Sequence, residues 1–135
     1  MQKMRVYFDI YGEEFPLEAF TKDMRISPIR TTKKGKRFLQ EREEAPLARE
    51  TSWEYGMEEM TVTVDPEIQF NWLVDQLTEK IEIINSYRKQ YNLSCKLVAV
   101  IEYTNESNRG FALNKRFISF ANVIGAWFDS DIYIE

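Results

Sequence analysis

Asp129 and Asp131 occupy alternate positions in the segment 126–135, so an extended strand sets both carboxylates on one side, about 7 Å apart. Asp9 holds the equivalent place in the segment 4–11, and neighbouring terminal strands would gather all three carboxylates, with Glu102 or Glu13 as a further ligand. Such a cluster could take a hard cation or share a proton, which would make the chain a metal-dependent enzyme. The simpler account is an acidic, solvated row offset by Arg5 and nearby lysines, because fully buried carboxylates are rare. The rest of the inventory narrows the chemistry further. The 135 residues include no histidine, and Cys95 is the single cysteine. Ser-His-Asp and Cys-His catalysis, histidine-bound zinc, a thiolate zinc site and an intramolecular disulfide are therefore excluded. No cofactor is expected.

The rows that carry the aspartates also carry rings. Arg5, Tyr7, Asp9 and Tyr11 alternate with Met4, Val6, Phe8 and Ile10, and Trp127, Asp129, Asp131, Tyr133 and Glu135 alternate with Phe128, Ser130, Ile132 and Ile134. Trp53 and Tyr55, from a further strand, are expected to join them in one groove. Trp and Tyr combine apolar area with a polar tip and recur at binding hot spots, although cross-strand packing explains the same residues. The leading functional expectation is a non-catalytic module that binds a protein or small ligand. In it Tyr7, Tyr11, Trp53, Trp127 and Tyr133 supply area, and Arg5, Asp9, Asp129 and Asp131 orient the partner. An immunity-like or inhibitor-like protein is one form of that idea.

Arg30, Lys33, Lys34, Lys36 and Arg37 cluster around Gly35 but lack the upstream glycine and spacing of a P-loop. A mobile, solvated arm is expected over residues 30–50. Net charge of -4 and a pI near 5.1 disfavour generic attraction to nucleic acid or anionic membrane. No apolar run approaches the roughly 20 residues of a membrane-spanning helix. A single cytoplasmic domain, monomer or homodimer, is the expectation.

The elements that must position these residues follow from period and punctuation. Alternation predicts strands over residues 4–11, 51–57, 95–103 and 126–135, and the 51–57 strand should pair somewhere in 29–38. Pro16 begins a short helix carrying Leu17, Phe20 and Met24. Asp65-Pro66-Glu67 opens a long helix whose stripe of Phe70, Leu73, Val74, Leu77, Ile81, Ile84, Tyr87 and Tyr91 runs to Asn92, with Trp72 beside it. Asn114 caps a third helix that directs Phe117, Ile118, Ala121 and Ile124 inward, and Gly125 ends it. Cys95 shares a face with Leu97 and Ile101 and is read as core. The result is an α+β domain, a mainly antiparallel sheet with helices on one face, in ferredoxin-like order β-α-β-β-α-β followed by α-β.

Several short motifs, in this order and spacing, also resemble a known family: Tyr11-Gly12-Glu13, Ile26-Ser27-Pro28, Lys34-Gly35-Lys36, Ser52-Trp53, the long amphipathic helix, and Phe128-Asp129-Ser130-Asp131-Ile132-Tyr133. Over nearly its whole length the chain is similar to the bacterial family catalogued as domain of unknown function 4279. The resemblance implies a small intracellular α+β domain of bacterial or phage origin. It carries over no activity, cofactor or catalytic residue.

Overall fold

Alternation along the first strand buries one row completely. Met4, Val6, Phe8 and Ile10 of β1 (Gln2–Gly12) all have at most 1 % of their surface exposed. In the computed structural model, which describes residues 2–36, 47–104 and 110–134, this strand is the centre of the sheet. It pairs antiparallel with β3 (Thr51–Gly56) on one side and β5 (Ser94–Tyr103) on the other. β2 (Arg30–Thr32) extends the sheet beyond β3, short β4 (Thr61–Val62) pairs with the start of β1, and β6 (Ala126–Ile134) lies parallel to β5. The path is β2-β3-β1-β5-β6. Its first four members are antiparallel throughout, in the order expected of β-α-β-β-α-β, and the last strand arrives by a parallel crossover through a helix.

Helix α1 (Leu17–Met24) seats Phe20 and Met24 in the core, with Pro16 just outside as its N-terminal boundary residue. The expected long helix is two helices. α2 (Pro66–Leu77) and α3 (Ile81–Tyr91) are joined by a 3-10 turn at Thr78–Lys80, in a stretch free of glycine and proline. A seven-residue apolar repeat drifts by about 20° per heptad on an α-helix, or about 60° from Phe70 to Tyr91. A 3-10 turn advances about 20° more per residue, so three such residues return about the same angle and keep the stripe over the sheet. Asp65 accepts a hydrogen bond from the Glu67 amide at the start of α2, and Asn92 closes α3 in the left-handed conformation.

Helix α4 (Lys115–Val123) begins at Asn114, whose side chain accepts from the Phe117 amide. Phe117, Phe120 and Ile124 form its buried line. Ile118, expected inside, is 53 % exposed because it sits about 100° round the helix from Phe117. Helical and strand side chains form one core that includes Phe8, Phe20, Trp53, Phe70, Leu97 and Phe117. Cys95 belongs to it, and burial pushes its thiol up to about 12. Gly56, opposite Tyr7, lets β3 leave the sheet. A Cβ there would stand 2.4 Å from the Val6 carbonyl oxygen, at a φ of 154°.

Candidate functional site

Registers of the five strands place one row of side chains straight across the open face: Arg30, Glu54, Asp9, Lys96 and Trp127, one from each strand. The signs run positive, negative, negative, positive, and end on a ring. Asp9 is 7 % exposed. Its Oδ2 lies 3.8 Å from Lys96 Nζ, and its Oδ1, fully screened from solvent, has no hydrogen-bond partner among the described residues. Glu54 lies 3.9 Å from the Arg30 guanidinium. Lys96 also stands 5.4 Å from the Tyr11 ring centre, and Arg5 stands 4.7 Å over Tyr7.

A cavity of about 410 Å³ opens over this row. Its walls come from Tyr7 and Asp9 of β1, Arg30 and Thr32 of β2, Ser52 and Glu54 of β3, Lys96 of β5, and the returning segment 47–50. Gly35 and Lys36 hold that segment through backbone bonds with Ala48. Burial raises the Asp9 carboxyl to about 7, helped by the charges of Glu54 and Glu50 and opposed by Lys96. Burial raises Glu54 as well, against the pull of Arg30 and Arg5. Tyr7 rises to about 12, first through burial and then through Glu54. In a chain without histidine, Asp9 is a carboxyl able to hold or release a proton near neutrality, at the wall of this cavity.

Arg5, Tyr7, Asp9, Tyr11, Trp127, Asp129, Asp131 and Tyr133 all fall on this open face, but as two separate groups. β5 lies between β1 and β6, so roughly 10 Å of sheet divides Asp9 from the strand of Asp129 and Asp131. In register, Asp9 aligns with Trp127, Tyr7 with Asp129 and Arg5 with Asp131. The three-carboxylate cluster of the alternative reading does not form, and the described residues contain no group of three His, Cys, Asp or Glu able to hold a metal. Glu102 aligns with Tyr133 and Lys3, while Glu13 pairs with Lys34 beyond the far end of β1.

Trp53 requires a correction. It pairs with Ile10 and therefore points to the helices, fully buried, with Phe20 and Phe8 edge-on to its ring. Its Nε1–H donates to Thr21 Oγ1 at 2.9 Å, and that hydroxyl donates to the Leu17 carbonyl. Tyr55 follows it inward, stacked between Trp53 and Trp72 and donating to Gln76 Oε1. The same β3 alternation turns Glu54 and Ser52 outward. Glu54, Lys96, Arg49 and Glu50 are cavity residues that no sequence motif marks; the alternation of the strand separates Glu54 from Trp53, but its strand neighbours are not readable from it.

On the β6 side the face is open to solvent. Trp127 is 70 % and Tyr133 60 % exposed, with Asp129 and Asp131 exposed between them. The reverse face of this strand is covered at Phe128, which packs on Phe70, Phe111 and Phe117, but Ile132 and Ile134 are exposed. β6 is also an edge, with β5 as its single partner strand among the described residues. Of the basic cluster, Arg30 faces Glu54, Lys34 pairs with Glu13, and Lys33 and Lys34 line a second cavity of about 610 Å³ beside Phe15 and Tyr91. Arg37 and the 37–46 part of the expected arm lie outside the described residues.

No described helix is long and apolar enough to cross a membrane. Compared with known proteins, residues 2–135 match the family described as Domain of unknown function (DUF4279). No curated protein and no solved structure matches the chain.

Proposed function

The chain belongs to the DUF4279 family, and from the geometry of its open face we propose that it is a non-catalytic recognition module that binds a protein along β6. The observation that carries this reading is one exposed row, Trp127, Asp129, Asp131 and Tyr133, on a strand whose outer edge is free among the described residues. Two large rings about 20 Å apart bracket two carboxylates, the combination of apolar anchors and charge that fixes a partner in place. Exposed Ile132 and Ile134 extend the apolar area to the reverse side. Carboxylates on an edge strand also discourage pairing with a second copy, because antiparallel pairing would set like charges against each other. The preferred partner is therefore a protein with a basic surface, and an immunity-like or inhibitor-like role is one form that this takes.

The test is capture from the source cell with wild-type protein and with a Trp127→Ala/Tyr133→Ala variant, followed by hydrogen-exchange mapping on the purified partner. A basic partner lost by the variant, with protection concentrated on β6, is the expected result. Equal recovery by both proteins would overturn the reading.

A further inference from the structure

The cavity over Asp9 lies on the β2-β3-β1 side of the sheet, away from the β6 row, and its lining suits a different kind of ligand. Three carboxylates (Asp9, Glu50, Glu54) and three cations (Arg30, Arg49, Lys96) share its wall. A ligand of one sign would leave half of them facing like charge. Within the wall Asp9 meets Lys96 and Glu54 meets Arg30, both beyond hydrogen-bond distance, whereas exposed Arg49 makes no ion pair among the described residues. The buried Asp9 Oδ1 has no donor among the described residues. A buried carboxyl left short of donors is costly, so a ligand that supplies a donor to it recovers part of that cost. At about 410 Å³ the space is of the size that small-molecule sites occupy.

We propose that this cavity binds a small zwitterion of the amino-acid type, its ammonium group paired with the Asp9 carboxylate and its carboxylate held by Arg49. Tyr7 supplies an aromatic wall beside the ammonium. Near neutrality the empty site holds a proton on Asp9, and binding displaces it. The charges around that carboxyl are Glu54 from β3, Lys96 from β5 and Glu50 from the returning segment, with Tyr7 and Tyr11 on its own strand. Affinity accordingly rises with pH through about 7.

Calorimetric titration of the full chain with glycine, 4-aminobutyrate, 6-aminohexanoate and lysine, beside butylamine and butyrate, tests this directly. At least one zwitterion should bind, ten-fold or more tighter than either single-charge analogue, and Asp9→Asn should weaken it at least ten-fold. Should Asp9→Asn fail to fold, Arg49→Gln at its exposed position provides the same ten-fold test. No binding by any zwitterion, equal binding of butylamine, or wild-type affinity in both variants would overturn the proposal. The Trp127→Ala/Tyr133→Ala variant should bind the zwitterion normally, so this site and the β6 surface stand or fall separately.

Discussion

Asp9 and Glu54 are register partners on adjacent strands, two carboxylates set side by side on the open face with Lys96 and Arg30 on their outer flanks. Like charges in that position work against the sheet: burial and then the charge of Glu54 raise Asp9, whereas Glu54 is raised by burial alone, against the pull of Arg30, Arg5 and Lys96.

This pair makes stability depend on pH in a definite sense. Folding raises Asp9 from 3.8 to about 7, so between those values the native state holds a proton that the unfolded chain has released. The associated stability is fully present below about 4 and is lost as pH rises through about 7. The effect is on the order of 4 kcal/mol. Urea denaturation at pH 4, 6 and 8 should show the difference between Asp9→Asn and wild type growing in favour of the variant as pH rises. A difference that is constant with pH would contradict the placement of Asp9.

Trp53 tests the core rather than the binding face. Trp53→Phe keeps most of the packing but removes the donor to Thr21, and should cost about 1 kcal/mol in denaturant unfolding. Trp53→Ala should cost about 3–5 kcal/mol. A loss near zero for Trp53→Ala would mean that this ring is not buried between Phe8 and Phe20.

At Gly56 the neighbouring strand leaves no room for a side chain. Gly56→Ala places a Cβ against the Val6 carbonyl and the Tyr7 backbone, and should destabilise by more than about 2 kcal/mol. Gly35→Ala meets open space, so only its left-handed φ opposes the change and a smaller loss of about 1 kcal/mol is expected. Thermal melts of the two variants should rank in that order.

The rings at Trp127 and Tyr133 should matter little to stability. Both are mostly exposed, so their alanine variants should unfold within about 0.5 kcal/mol of wild type. A large loss would assign these rings to packing and remove them from the recognition row.

Cys95 offers a probe of opening. With its thiol buried and pushed up to about 12, native protein at pH 8 should not react with a disulfide reagent, and modification should follow the unfolding rate as urea is added. Immediate reaction in buffer would place the thiol at the surface.

Much of this arrangement was legible in the residues themselves. The alternation of Met4 to Ile10 fixed which row of β1 is buried, and Asp65-Pro66 and Asn114 marked two helix starts that the structure keeps. What the residues did not contain was adjacency. The alternation of β3 separates Trp53 from Glu54, but only pairing with Ile10 and Asp9 decides that Trp53 turns inward and Glu54 outward. Asp9 stood out as a chemical group, yet its partners proved to be Glu54 and Lys96, from strands distant in sequence, and not the aspartates of β6. The break at Thr78–Lys80 was hidden for another reason: Thr, Glu and Lys are ordinary helix residues, and the need for a tighter turn arises only when both halves must cover one sheet.

The central position of β1 bears on the order of events during synthesis. β1 is made before both strands that it bonds to along most of its length, Thr51–Gly56 and Ser94–Tyr103. Until residue 103 has been added, one edge of Met4, Val6, Phe8 and Ile10 has no neighbour, so the apolar row that anchors the finished molecule is a hazard in the growing one. Closing loops this long makes folding slow relative to helical proteins of the same size, and exposure of this row before β5 arrives is the point at which the nascent chain is most open to misassembly.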